Sequence, residues 1–274
     1  MRDLLKADLK RALKDKLFLV LCILAGVFAI STPLLYKAIF SVLDMEELLE
    51  MGELLGNQFT AKGMFFTSFS PRHNFGMILP ILVAIILCKD FSHGTIRNKI
   101  ICGKSRTKIY FSLFCTCAIL MICFILAQAL VTLLISLTMF EYQADPFTAS
   151  DFGYLMASIA FEFVVYLFIS ALLTFFVVSM KNAGTAIVMY FAVNFVLLIV
   201  GSITQTALLL SDSTSSSYEV LKFFNDANMF TSLLIGGGAS YTGKEVLTIL
   251  LPNIFLAGVF VFFGWYIFRK KDLK

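Results

Sequence analysis

Residues 109–140 read IYFSLFCTCAILMICFILAQALVTLLISLTMF, thirty-two consecutive positions without Asp, Glu, Lys or Arg. A hydrocarbon core of ~30 Å is crossed by roughly 20 apolar helical residues, each rising ~1.5 Å. The stretch exceeds one crossing, so it predicts a helix that is tilted or partly interfacial. Leu17–Tyr36, Asn182–Leu210 and Val246–Phe268 are equally charge-free, and Phe152–Met180 carries only Glu162. Phe75–Cys88 is apolar but short, with Pro71 and Pro80 flanking or interrupting it, and it must borrow Asn74 or Lys89–Phe91 to cross. The expected fold is an all-α polytopic membrane protein. Its six transmembrane helices span about 17–36, 74–91, 109–140, 152–180, 182–210 and 246–268. Residues 17–268 form one transmembrane domain, preceded by an interfacial helix at 1–16 and followed by a basic tail at 269–274.

Composition agrees: 59% of residues are hydrophobic and 15% charged, against about 25% charged in ordinary soluble domains. Mean hydropathy is +0.89. Seventeen of the 22 Lys and Arg fall in residues 1–16, 89–108, at Lys181 and in the tail, whereas the opposite side of the weave holds 12 of the 18 acids. The excess of Lys and Arg marks the cytoplasmic side. Both termini and the 89–108 link are therefore expected in the cytosol, in a multi-pass protein of the cell membrane. The net charge of +4 is a topology signal of this kind and does not point to nucleic acid. The first apolar run is longer than a signal peptide's core, lacks a small-x-small cleavage site and follows a segment containing Asp3, Asp8 and Asp15, so it reads as an uncleaved span.

The amphipathic start has Leu4, Leu5, Leu9, Ala12 and Leu13 at helical spacing, with Lys6, Lys10, Arg11 and Lys14 around them. That pattern suits a helix lying at an interface. Val42–Leu55 is a second amphipathic segment, with an acidic side at Asp44, Glu46, Glu47, Glu50 and Glu53. It reads as a gate, as an attractor for cationic substrates, or as a solvated helix resting on the outer rim. Between the last two spans, SDSTSSS at 211–217 precedes short apolar pieces at Leu221–Phe224 and Phe230–Ile235 and the run Gly236–Gly238. These pieces read as short re-entrant outer helices, tolerated in a membrane only against protein or a cavity; the alternative is an ordinary loop with apolar contacts.

Chemistry is sparse. His73 and His93 are the only histidines and lie on opposite faces; no HExxH, GxSxG or GxGxxG occurs. No catalytic, cofactor or metal residue is assigned. The six cysteines fall in spans or on the cytoplasmic face, and Cys88, His93 and Cys102 match no zinc spacing, so they read as packing residues. Asn98–Ser105 resembles a phosphate loop, but lacks the leading Gly and any αβ core to present it. Glu162 is the exception, an acid about ten residues, or ~15 Å, inside its span. An acid at that depth costs on the order of 2.5–3.5 kcal/mol, so it is expected to face protein or water. It is a candidate for a transport path or for carrying a proton, with Gln128, Asn194 and Thr174 as candidate polar companions; the structural alternative is an acid that is protonated or bonded to a neighbouring helix.

The link 89–110 reads KDFSHGTIRNKIICGKSRTKIY. Gly94 allows a turn, Thr95 can cap a short helix, Gly103 ends it and Ser105 can cap the next span. Ile96, Ile100 and Ile101 give that basic helix an apolar patch suited to a soluble partner. Asp90, Gly94-Thr95, Ser105-Arg106 and Ile109-Tyr110 resemble the signature of ABC-transporter permeases of the ABC-2, exporter-type family. The layout of the whole chain resembles that family as well; Leu113 departs from it, where many relatives have Lys. The resemblance implies that 95–102 is a coupling helix docking on a separate ATPase subunit, with Ile96, Ile100 and Ile101 buried there and Arg97 and Lys99 at the rim. It implies two ATPase copies that hold the ATP and Mg, and a second permease, identical or related. The implied work is export of a hydrophobic or amphipathic substrate such as a peptide, antibiotic or lipid. A non-transporting sensor or immunity subunit, and an intramembrane enzyme, are the competing readings.

Overall fold

The computed structural model describes residues 1–40, 61–68, 78–139, 148–180, 182–211, 216–231 and 243–271. Val42–Leu55 and Gly236–Gly238 lie outside them. Every regular element among the described residues is a helix: α1 (Arg2–Lys14), α2 (Lys16–Phe40), α3 (Ala61–Thr67), α4 (Leu79–Ser92), α5 (Thr95–Ile101), α6 (Arg106–Met139), α7 (Ala149–Met180), α8 (Ala183–Leu210), α9 (Ser216–Ala227) and α10 (Gly243–Lys270). Five of them, α2, α6, α7, α8 and α10, are long and apolar enough to cross a membrane; a sixth span arises if α4 and α5, bent by 52°, count together. The chain is a multi-pass membrane protein.

The helices form because long apolar runs leave the backbone no partner but itself in hydrocarbon. α6 is unbroken over 34 residues, about 51 Å at ~1.5 Å per residue, which is the excess length its sequence predicted. α7 is the centre. Of its apolar stretch 67% is buried, against 17–39% for the other four, and it packs on α10, α6, α8 and α4. Its buried face carries Phe161, Val165, Tyr166, Ile169, Leu172 and Phe176. α2, α8 and α10 expose apolar residues around the outside, as a lipid-facing ring requires.

The basic segments meet at one end of the bundle. Arg106 at the start of α6 donates to the carbonyls of Arg269 (2.9 Å), in the last turn of α10, and Lys271 (2.8 Å), just beyond it. Lys271 in turn donates to the Val178 carbonyl (3.0 Å) and to that of Ser179, near the end of α7. These cations occupy helix C-termini, where unpaired carbonyls attract them. Trp265 Nε1 donates to Thr107 Oγ1 at 3.1 Å.

α9 is inserted between α8 and α10. Asn228 Nδ2 donates to the Leu197 carbonyl at 2.7 Å, and Asn253 Nδ2 donates to the Ala227 carbonyl at 3.2 Å, satisfying the end of α9. Leu197 lies thirteen residues from the end of α8, a depth of about 20 Å. Close approach needs Gly201, where a Cβ would lie 2.7 Å from Thr231 Cγ2 and 3.0 Å from Asn228 Nδ2. Ser216 and Ser217 open this helix, so the polar stretch expected to link it is shorter than its composition implied.

Gly264 makes the second close approach, beneath the fully buried Tyr110: a Cβ there would collide with the tyrosine hydroxyl. Gly264→Ala should lower the thermal midpoint in detergent, an overpacking cost of about 1–3 kcal/mol. Tyr110→Phe in the same chain should restore part of that loss by removing the colliding atom. Equal midpoints for wild type and the single variant would show that α6 and α10 do not meet this closely.

Candidate functional site

The site is built from the link between α4 and α6 and from the helix that lies across it. α4 ends at Ser92, and Gly94 turns the chain in the left-handed region at φ 66°. Gly94 is itself the N-cap of α5, with no side-chain cap, and Thr95 is the first helical residue. The expectation that Thr95 caps is thus corrected, because only the residue with the non-helical φ can occupy the cap, and that φ requires glycine. At the other end Gly103, at φ 77°, closes α5. Its N–H donates to the Ile100 carbonyl at 2.9 Å, and Lys104 N–H to that of Lys99 at 3.1 Å, the paired bonds of a glycine-terminated helix. Ser105 Oγ accepts from Lys108 N–H at 3.4 Å and caps α6. Two left-handed glycines therefore make α5 a seven-residue helix with fixed ends.

α1 holds this helix from behind through buried charge. Lys99 Nζ donates to Asp8 Oδ1 at 2.6 Å and to Asp90 Oδ2 at 3.5 Å. Ser112 Oγ, on α6, donates to Asp8 Oδ2 at 2.6 Å. Arg11 closes the circuit with Asp90, whose two oxygens both face its guanidinium. The side chains of Asp8 and Asp90 are 2% and 1% exposed. Two carboxylates thus face two cations, so the buried charge is paired, while Asp90 Oδ1 accepts no hydrogen bond among the described residues. Burial pulls Lys99 below its ordinary value and Arg11 adds to that pull, while the bond to Asp8 and its charge oppose it. Arg11 is likewise lowered by burial, against the charges of Asp8 and Asp15. Beside the cluster, Lys89 bonds both Asp15 oxygens, at 2.8 and 2.7 Å, and Asp15 Oδ1 accepts from Leu17 N–H at 3.0 Å, pinning the corner between α1 and α2.

The residues expected to face a partner divide into two sets. Ile96 is 2% exposed and belongs to the chain's own core, and Ile100 packs against it. Asp90 and Lys99 are committed to the cluster, and Arg106 to the end of α10. Arg97, Asn98, Cys102, Lys104 and Ser105 are exposed, and Ile101 is 74% exposed. Among the cysteines, Cys88 and Cys117 are buried as packing residues, but Cys22, Cys102 and Cys123 are exposed.

Glu162 is 1% exposed, and neither carboxyl oxygen has a hydrogen-bond partner among the described residues. It lies one turn beyond Ile159, which packs with Phe65, Phe66 and Ala129. Gln128, Asn194 and Thr174 are buried too, and none of them hydrogen-bonds to Glu162. Asn194 Nδ2 donates to Tyr190 of its own helix at 2.7 Å. Thr174 lies twelve residues along α7, about 18 Å away.

Residues 56–274 match the model of a family described as a protein of unknown function, DUF2705. The chain belongs to this family. The matched residues run from α3 to α10 and include Asp90, Lys99 and Ser112, while Asp8 and Arg11 precede them. No curated protein matches the chain.

Asp8→Ala leaves Lys99 and Ser112 without their shared acceptor, and removing one partner of a buried pair costs about 3–5 kcal/mol. Asp15→Asn, at the more open corner, should cost about 0–1 kcal/mol. Thermal melts in detergent check the order, which reverses if the corner pair dominates. The pH profile tests the corner pair as well. Burial pushes the Asp15 carboxyl up, but the bonds from Lys89 and Leu17 and the charges of Lys89 and Arg11 outweigh it and hold it below its ordinary value. A lowered carboxylate stabilises above its unfolded pKa of ~3.9 and loses that contribution as pH falls through the lower folded value. The midpoint difference between wild type and Asp15→Asn should therefore be constant above about pH 5 and shrink below about pH 4.

Proposed function

We propose that the chain is the membrane-spanning permease subunit of an ATP-driven exporter of the ABC-2 type, with α5 as the coupling helix for a separate ATPase. The observation that carries this reading is Ile101, a large aliphatic side chain 74% exposed at the basic end of the bundle, on a helix whose ends are fixed by two left-handed glycines. Exposed Arg97, Asn98 and Lys104 surround it. An apolar knob flanked by two cations is complementary to an apolar groove with an acidic rim. The resemblance of 89–110 to the permease signature supports the same assignment.

In this reading the basic end is cytoplasmic, as the distribution of Lys and Arg requires, and both termini lie there. α9, seated about 20 Å along α8, is a re-entrant outer helix. ATP and Mg belong to two partner ATPases, and a second permease copy, identical or related, completes the path for a hydrophobic or amphipathic substrate. Glu162 is the buried polar group of that path. The rigid backing of α5 by α1 gives the coupling its mechanism: a push on Ile101 is transmitted through Lys99 and Asp8 to α1 and α6 instead of bending the link.

Burying an Ile is worth ~1.5–3 kcal/mol and an exposed ion pair ~0–1 kcal/mol. In cells expressing both subunits, Ile101→Asp should remove the ATPase from a pull-down on the tagged permease and abolish coupled transport, with the permease still inserted. Arg97→Ala should weaken both only slightly. Normal pull-down and transport with Ile101→Asp would remove the docking assignment.

A further inference from the structure

A polar cavity of about 260 Å³ opens between the end of α1 and the end of α4, lined by Arg11, Lys14, Asp15, Lys89, Asp90 and His93 among others. It shares Lys14 and Asp15 with a second, mostly apolar groove of about 550 Å³ that follows the start of α2 past Phe18, Leu19 and Val20. We propose that this composite site binds one anionic phospholipid, its phosphodiester in the polar cavity and an acyl chain along α2. This assignment needs only that α2 lies in a bilayer and is independent of the transport reading.

Charge selects the headgroup. Three cations, Arg11, Lys14 and Lys89, line the cavity against two carboxylates, Asp15 and Asp90, so the Lys, Arg and Asp side chains leave one positive charge over. The internal pairs identify which one. Arg11 is paired with Asp90 and Lys89 with Asp15, whereas Lys14 is exposed and makes no ion pair among the described residues. Lys16 adds a further cation at the wall of the groove. A phosphodiester of charge −1 matches Lys14, and a zwitterionic headgroup brings a cation of its own into a site that already has a surplus.

Shape selects a lipid over a soluble phosphate. Leu19 at the groove wall begins a stripe with Ile23, Val27, Ile30 and Leu34, all exposed and all on one face of α2 at helical spacing. That stripe is about 22 Å long, enough for an acyl chain that descends through half of a ~30 Å hydrocarbon core. A free phosphate would leave it unused.

Native mass spectrometry of the full-length chain in mild detergent, titrated with phosphatidylglycerol or phosphatidylcholine, tests the site. Phosphatidylglycerol should saturate one site at a lower concentration than phosphatidylcholine. Lys14→Ala should raise its midpoint about fivefold, the effect expected of one basic residue beside an anionic lipid, and Lys14→Arg should restore it. Lys10→Ala removes the same charge from the same helix outside the cavity, and should leave the midpoint within about a factor of two. Equal binding of the two lipids, or equal effects of Lys14→Ala and Lys10→Ala, would overturn the proposal. Displacement of phosphatidylglycerol by inorganic phosphate at matched concentration would overturn it too, by showing a soluble-anion site.

Discussion

Asp8 lies on the apolar side of an amphipathic helix and is 2% exposed, a position that an ionised carboxylate tolerates only with bonded partners. Its two oxygens reach Lys99 on α5 and Ser112 on α6. Through Lys99 the pairing extends to Asp90 and Arg11, so one charge-balanced cluster joins α1, α4, α5 and α6. The arrangement of the basic end depends on it. A seven-residue helix is too short to be stable by itself; Ile96 and Ile100 anchor one face of α5 in the core, and the cluster is what ties it to α1.

This constraint separates what α5 keeps from what it presents. Ile96, Ile100 and Lys99 face the chain's own core and α1, while Arg97, Asn98 and Ile101 face outward. A helix of two turns cannot bury three isoleucines in a partner and also dock on its own bundle, because residues 96 and 100 share one face and residues 97 and 101 share another. The proposed docking surface is accordingly narrower than the apolar patch and centres on a single aliphatic side chain. The same division gives the coupling proposal a rigid lever. The proposed docking face and the ion cluster lie on opposite sides of one short helix, so displacement of one would displace the other.

The spans were legible in the sequence because hydrocarbon imposes a length and forbids charge, and Leu17–Tyr36, Asn182–Leu210 and Val246–Phe268 each obey both conditions. α4 was harder to read, since Pro80 and a 14-residue helix do not reach across a bilayer alone. The ends of α5 were legible at Gly103 and Ser105, where local backbone chemistry decides, but misassigned at Thr95, where Gly94 already occupies the cap. The ion cluster was missed. Asp8 stands one turn from both Leu4 and Ala12, so an acid on the apolar stripe was the available signal. Which cations it would meet, 91 residues away at Lys99 and 104 away at Ser112, is a fact of tertiary packing that periodicity does not carry. Glu162 was legible as a buried acid for the opposite reason, because its neighbours along the helix are uncharged and mostly apolar. Its expected companions Gln128 and Asn194 are buried as well, yet they are not joined to it.

Hydrogen exchange over residues 94–104, compared between wild type and Asp8→Ala in the same detergent, tests the central claim most directly. If the cluster holds α5, the amides of Asn98 and of Lys99–Lys104 should be protected in the wild type and exchange much faster in the variant, with α7 and α10 unchanged near their middles. Equal protection of this segment in the two proteins would show that the link is rigid without α1, and would contradict the account.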